Sequence, residues 1–240
     1  MTVGNKHEDN GKLVWALLNT QDGHAHSDVA NSARAMNPGA QDVLFICALI
    51  RWHLEGDAVS KRRIIVNIAT SADGYVARTD GNLDWLTRRP APKGFYGLPE
   101  FSKSVDAKIL GRKTFDQSVK MGASFGGDDV HYVFSRRPPP PASVPAGVQF
   151  ITESIRAFAE RLRKQAGKNI WMMGGGEIIG SFLDEDAIDE FMLTVVPTFI
   201  GEGIPLIAPR HREVPLLLLS VQQFSDGVVQ LHYGVQKPRA

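Results

Sequence analysis

The chain reads as an α/β protein: a mixed, mainly parallel sheet flanked by helices and closed near its C-terminal end by an antiparallel hairpin. Three observations predict this. From Arg62 onward, strand-like and helix-like patterns alternate, as parallel strands joined by crossover helices require. Two strand-to-helix junctions carry glycine, Gly111-Arg112-Lys113-Thr114 and Gly174-Gly175-Gly176-Glu177. The last two apolar runs, about 216–224 and 228–236, are joined by Ser225-Asp226-Gly227, a hairpin signal.

The elements follow in order. Ile64-Ile65-Val66-Asn67-Ile68-Ala69 is a β-branched run of strand length. Ser71-Ala72-Asp73-Gly74-Tyr75 and Asp80-Gly81-Asn82 read as turns, and the Pro/Gly-rich stretch 90–99 as a loop. A short helix over 100–105 precedes a strand over 107–110, which turns through Gly111 into a second helix. Strands follow at 131–134 and 148–151. Ile155, Phe158, Ala159 and Leu162 at helical spacing predict a helix over 154–165. The apolar run Ile170 to Met173 leads through three glycines into a helix with Ile178, Ile179, Phe182 and Leu183 on one side. A strand over 191–196 stops at Pro197, and 197–209 is a loop.

Residues 1–60 differ in character and are expected to be a poorly structured extension preceding one domain at 61–240. Only 42–55 there suggests a helix, and His24 and His26 lack a third ligand at useful spacing, so no metal is expected. Val59-Ser60-Lys61-Arg62-Arg63 resembles a protein beginning, because a valine codon also serves as a bacterial start. We expect the native chain to start at Val59; abundant natural peptides from residues 1–57 would refute that.

Composition narrows the function classes. With 43% hydrophobic and 22% charged residues, the chain can bury a sizeable core. A formal net charge of +1 gives no broad field for nucleic acid or an anionic membrane. No apolar run approaches the length of a membrane span. A single cysteine, Cys47, excludes an internal disulfide and any multi-cysteine metal site. The reading is a reduced, cytoplasmic protein.

Three elements suit phosphate. At Gly174 to Gly176, bare backbone N–H groups meet a helix N-terminus, where the dipole favours negative charge. The spacing is not the usual G-x-G-x-x-G, since position 179 is Ile. Gly111-Arg112-Lys113-Thr114 adds two cations and a hydroxyl at a second helix start. Ser135-Arg136-Arg137 brings a hydroxyl and guanidinium groups to a strand end. Each alone is an ordinary turn. Together they lie at strand carboxyl ends, where α/β sheets bind ligands, and they match NADPH better than NADH because a 2′-phosphate needs cations.

The order of Ser71 to Tyr75, Gly81-Asn82-Leu83-Asp84-Trp85, Asp106 to Phe115, Phe134-Ser135-Arg136 and Gly174 to Gly176 resembles the dihydrofolate reductase-like family. Its nearest branch is the reductase domain of riboflavin biosynthesis and stand-alone bacterial relatives, over about 62–237. The resemblance implies an NADPH-binding fold. Gly111, Arg112, Lys113 and Thr114 would contact cofactor phosphates, with Ser135 and Arg136 near the 2′-phosphate. Gly174, Gly175, Gly176 and Glu177 would hold the pyrophosphate and approach the nicotinamide ribose, and Ala69 would line the cofactor. Asp73, Gly74 and Tyr75 would border nicotinamide and substrate. A homodimer is implied.

Two departures bear on substrate. The H-x-E and P-C-x-x-C signature of a zinc deaminase domain is absent. Folate reductases proper carry a helix carboxylate that assists protonation; the nearby acids here, Glu100 and Asp106, do not match that position. The expected function is hydride transfer to a pyrimidine or pteridine, with the ribosylaminopyrimidine of riboflavin synthesis as the named substrate. Dihydrofolate reduction and non-catalytic nucleotide binding are the alternatives. Asp73 either orients substrate and delivers a proton or closes its turn; Trp85, Phe95 and Tyr96 either stack on a flat ring or pack beneath the loop.

Overall fold

The computed structural model describes residues 61–90 and 92–237. The expectations for the N-terminal extension, including its helix and its start at Val59, lie outside the described residues.

Strand β1 (Ile64–Ser71) owes its central place to its composition. Six of its eight residues are buried, as both faces of an interior parallel strand must be. Around it lie β3 (Val105–Gly111), β4 (Val130–Phe134), β5 (Val148–Ile151), β6 (Asn169–Gly174), β7 (Glu190–Val196), β9 (Leu216–Gln223) and β10 (Val229–Val235). The sheet order is β5-β4-β3-β6-β1-β7-β10-β9. Every pairing is parallel except those of β10, which runs antiparallel to β7 and to β9. The C-terminal hairpin therefore closes a parallel sheet, as expected. A separate small ribbon pairs β2 (Tyr75–Ala77) with β8 (Ile204–Pro205).

The helices are α1 (Asp84–Thr87), α2 (Leu98–Lys103), α3 (Arg112–Lys120), α4 (Ile155–Arg163) and α5 (Gly176–Asp184). Ser154 caps α4, its hydroxyl accepting the Ala157 N–H at 3.3 Å. Helices α4 and α5 press Phe158, Leu162, Ile179 and Phe182 onto Ile64, Val66, Ile109 and Met172 in the main core. Each such side chain contributes roughly 1.5–3 kcal/mol on burial. The opposite face takes Phe115 of α3 against Leu110 and Val133, and Phe101 of α2 against Ile65 and Trp171.

Several expectations need adjustment. The helix expected at 100–105 lies at Leu98–Lys103, because Val105 is drawn into β3, where it is buried at 2% exposure. Tyr75 opens β2 rather than ending a turn. The loops expected at 90–99 and 197–209 contain a 3-10 turn (Phe95–Gly97), the first two residues of α2, and β8.

Candidate functional site

The three phosphate-suited elements meet. Registers Leu110↔Gly174 and Gly111↔Phe134 put the carboxyl ends of β6, β3 and β4 side by side. A Cβ on Gly175 would stand 3.2 Å from Thr114 Oγ1, and one on Gly111 would meet Ile178 at 3.4 Å. The first turns of α3 and α5 thus lie close together, with room for a Cβ at either glycine only in tight contact. The Gly174–Gly175 peptide is cis. Gly176 lies tighter still. A Cβ there would overlap the Pro205 carbonyl oxygen.

Charge follows the same layout. Lys113 Nζ donates to Glu177 Oε1 at 2.9 Å, bridging the two helix starts. Lys113, foremost, and Arg136 hold the Glu177 carboxyl below its ordinary range. Arg112 is held by Asp116 one turn on, Nε donating to both oxygens at 2.8 and 2.9 Å, while its Nη1 reaches the Arg137 carbonyl at 3.3 Å. Ser135 Oγ donates to that carbonyl at 3.0 Å and accepts the Arg137 N–H at 3.2 Å. Arg136 is exposed and forms no ion pair among the described residues. Two N-terminal helix turns, an uncommitted guanidinium and a carboxylate suited to ribose hydroxyls can hold a phosphorylated nucleotide.

At the carboxyl ends of β1 and β7 the picture is different. Asp73 does not stand free. Its carboxylate accepts the Ser71 hydroxyl at 2.5 Å, the Gly201 N–H at 2.8 Å and the Ile200 N–H at 3.1 Å. The Ser71 hydroxyl above all, then those amides, hold its carboxyl below the ordinary 3.8 against the opposing effect of desolvation. Gly74 is exposed with φ +86°, and its carbonyl accepts the Leu206 N–H at 3.0 Å. Tyr75 is half-buried in the small ribbon, its N–H donating to Ser71 Oγ.

Trp85 and Tyr96 pack beneath their loops. Trp85 is buried with Val196 and Val228, and Tyr96 joins them with Ile200 and Phe224. The Tyr96 ring meets Phe224 edge-on at 4.9 Å, and its hydroxyl donates to Asp226 at 2.6 Å. Phe95, by contrast, is exposed. Ala69 is half-buried at the end of β1, in register with Thr194.

Residues 197–208 were opaque in the sequence, yet they form a strap across these strand ends. The Thr198 carbonyl accepts the Ala72 N–H at 2.9 Å, Ile200 and Gly201 bind Asp73, Ile204 pairs with Ala77, and the Ala208 N–H reaches the Gly176 carbonyl at 3.0 Å. It joins the turn after β1 to the first turn of α5. Asn67 and Thr194, buried at 9% and 6% exposure, also went unremarked. The signal was present: Asn67 interrupts an otherwise apolar strand.

The fold defined by this sheet, its hairpin and its ligand-facing edge is the dihydrofolate reductase-like fold. The dihydrofolate reductase of Enterococcus faecalis, solved in complex with NADP(H), superposes with a TM-score of 0.54 at 15% identity, over 74% of this chain and 98% of that one. Residues 62–230 match the RibD C-terminal domain family, and the chain belongs to that family. The uncharacterized protein YwjB of Bacillus subtilis (strain 168) is 40% identical over 174 residues, covering 72% of this chain and 98% of YwjB. A Shewanella sp. PV-4 protein named as a candidate in riboflavin biosynthesis shares 28% identity, with a TM-score of 0.64 over 73% of this chain and 99% of its own. Among the described residues no helix is long and apolar enough to cross a membrane, and no group of three or more metal-ligating side chains occurs.

Proposed function

We propose that the chain is an NADPH-dependent reductase that transfers a hydride to a pyrimidine- or pteridine-type ring. The ribosylaminopyrimidine of riboflavin synthesis is the first substrate to test. The observation that carries this reading is the adjacency of the β4, β3 and β6 carboxyl ends, each bearing a phosphate-suited group. Gly111, Thr114 and the Gly174 to Gly176 backbone would hold the pyrophosphate, Ser135 and Arg136 the 2′-phosphate, and Glu177 a ribose hydroxyl. Arg112 and Lys113, already paired with Asp116 and Glu177, would shape the site. When bound, NADPH supplies the hydride, so the chain needs no nucleophilic triad.

Asp73 takes the role of a positioning residue. A carboxylate that accepts three hydrogen bonds and is held ionised is poorly suited to give up a proton. It fixes the turn and strap that border the substrate, and the proton arrives through water. Gly74 and Tyr75 border the ring, while Trp85 and Tyr96 support the wall from behind. The protein is proposed to act in the cytoplasm as a homodimer, with the exposed Leu216, Leu218 and Val221 of edge strand β9 available for pairing.

Calorimetric titration with NADPH and NADH, followed by NADPH oxidation across a panel of pterins and aminopyrimidines, tests the reading. Preference for NADPH with turnover on the panel is expected. Tight NADPH binding without consumption would make the chain a non-catalytic nucleotide-binding protein, and equal affinity for the two cofactors would remove the 2′-phosphate assignment.

A further inference from the structure

We propose that the groove between α5, β7 and the 206–216 segment is a second ligand site, which takes a small amphiphilic anion with one carboxylate head on an unbranched apolar tail. The inference goes beyond the reductase reading and does not need it.

The groove exists because the helical layer stops short of the sheet. Phe191 and Leu193 of β7 stand in register with Val66 and Ile68, on the face that α4 and α5 cover. C-terminal to α5 the described residues form no further helix, and the chain from Leu206 to Leu216 borders β7 instead. About 350 Å³ stays unfilled between Leu183, Phe191, Leu193, Leu206, Val214 and Leu216. That volume is of small-molecule size, and an apolar hollow open to solvent commonly marks a binding site.

Two cations border it. Arg212 is fixed in the wall: its Nε donates to Asp184 Oδ1 at 3.0 Å and its Nη1 reaches the Ala208 carbonyl at 3.4 Å. Its guanidinium lies against Gly180, where a Cβ would stand 3.1 Å from Nη1. Arg210 pairs with Asp184 Oδ2, and its side chain is 47% exposed. Two guanidiniums thus share one carboxylate, which leaves one positive charge unmatched beside an apolar wall. Asp186 and Glu213 line a separate cavity of about 50 Å³. Arg210 keeps donors free for a second carboxylate. Apart from the two arginines every lining side chain is apolar, so nothing there would hydrogen-bond the body of a ligand. A single unmatched charge suits a monoanion better than a phosphate dianion.

The same segment meets the proposed active site with its backbone. The Leu206 N–H donates to the Gly74 carbonyl at 3.0 Å, and the Ala208 N–H to the Gly176 carbonyl at 3.0 Å. Both residues line the groove. A ligand that fills it needs this wall in place, so its binding stabilises both hydrogen bonds by linkage.

The test is calorimetry on the full-length protein with decanoate below its micellar concentration. Decanol and decyltrimethylammonium carry the same tail with a neutral or a cationic head. One decanoate per chain is expected, bound about tenfold or more tightly than decyltrimethylammonium. Octanoate should bind about 15-fold more weakly than decanoate, roughly fourfold for each CH₂ removed. Arg210→Gln should weaken decanoate about tenfold and leave decanol unchanged. Leu216→Glu, at an exposed position of the edge strand, should reverse the preference toward decyltrimethylammonium. Amide hydrogen exchange at Leu206 and Ala208 should slow about tenfold at roughly ten times the Kd of decanoate. Several equal weak sites, or wild-type affinity retained in Arg210→Gln, overturns the proposal. Tight binding with unchanged exchange at both amides places the ligand elsewhere and overturns it too. So does a dimer, by light scattering, that binds decanoate only after Leu218→Lys separates the copies, because the groove then belongs to the second chain.

Discussion

The carboxylate of Asp73 and the backbone N–H of Gly201 lie 2.8 Å apart, joining segments 128 residues distant in sequence. The contact closes the turn after β1 against the strap, whose other end bonds Gly176 at the start of α5. One carboxylate therefore links the proposed substrate border to the helix proposed to hold the pyrophosphate. Asp73→Ala should free residues 198–203 and lower kcat/KM for the reduced ring, about tenfold for a lost charge-assisted contact. NADPH affinity should hardly change. Steady-state kinetics beside NADPH titration checks this. Asp73→Asn should retain more activity than Asp73→Ala, because its carbonyl oxygen still accepts one amide; a proton donor would be abolished equally by both.

Arg136 carries the cofactor-selectivity prediction. It is exposed at the end of β4 and has no ion-pair partner among the described residues, whereas Arg112 is committed to Asp116. Arg136→Ala should weaken NADPH by about 10–100-fold, the range for roughly 1.5–3 kcal/mol from a hydrogen bond to a charged group, and leave NADH unchanged. Parallel titrations of both cofactors read this directly. Equal losses would mean that the guanidinium meets a group common to the two.

What the sequence disclosed and what it concealed have physical causes. Strand–helix alternation was legible because each parallel strand is a continuous apolar run, as in Ile64 to Val66 and Ile170 to Met172. The glycine junctions were legible because the lack of a Cβ at Gly111 and Gly175 eases a close approach in which a Cβ would sit tightly, at 3.4 Å from Ile178 and 3.2 Å from Thr114. The adjacency of those junctions was inferred, not read: it depends on β3 lying between β4 and β6, a long-range pairing without local signal. The strap was hidden because its bonds are made by backbone amides, which every residue supplies. Trp85 shows the converse limit. An aromatic in a turn-rich stretch suits a ligand or a core equally, and only burial distinguishes them.

Gly176 tests the strap from its other end. A Cβ there would collide with the Pro205 carbonyl and press on the Leu206 carbonyl and the Ala208 N–H, all backbone atoms that cannot rotate away. Gly176→Ala should therefore cost about 1–3 kcal/mol through overpacking. Thermal melting should fall by roughly 2–4 °C per kcal/mol in a domain of this size, with weaker NADPH binding. Gly126→Ala is the control, since its Cβ would meet only Ser124 Oγ at an ordinary 3.9 Å. Equal melting temperatures for the two variants would show that the strap yields without cost.

Stability should also respond to His131. Burial, first, and the Lys108 charge, second, push its imidazole below the ordinary 6.5, with Asp129 opposing. Its ring faces Phe125 edge-on at 5.2 Å, and Nδ1 is sealed without a partner. Because the folded value lies below the unfolded one, protonation favours unfolding. The contribution is complete above about pH 6.5 and is lost as pH falls from there through the folded value. Asp189 behaves differently. Burial alone would raise its carboxyl, but Arg163 and Lys237 outweigh it and hold it below 3.8, so its contribution persists until pH falls under that value. Melting temperatures recorded from about pH 8 to pH 3 should show two separate declines. His131→Leu should abolish the upper one and leave the lower intact; an unchanged upper decline in that variant would place its origin in another group.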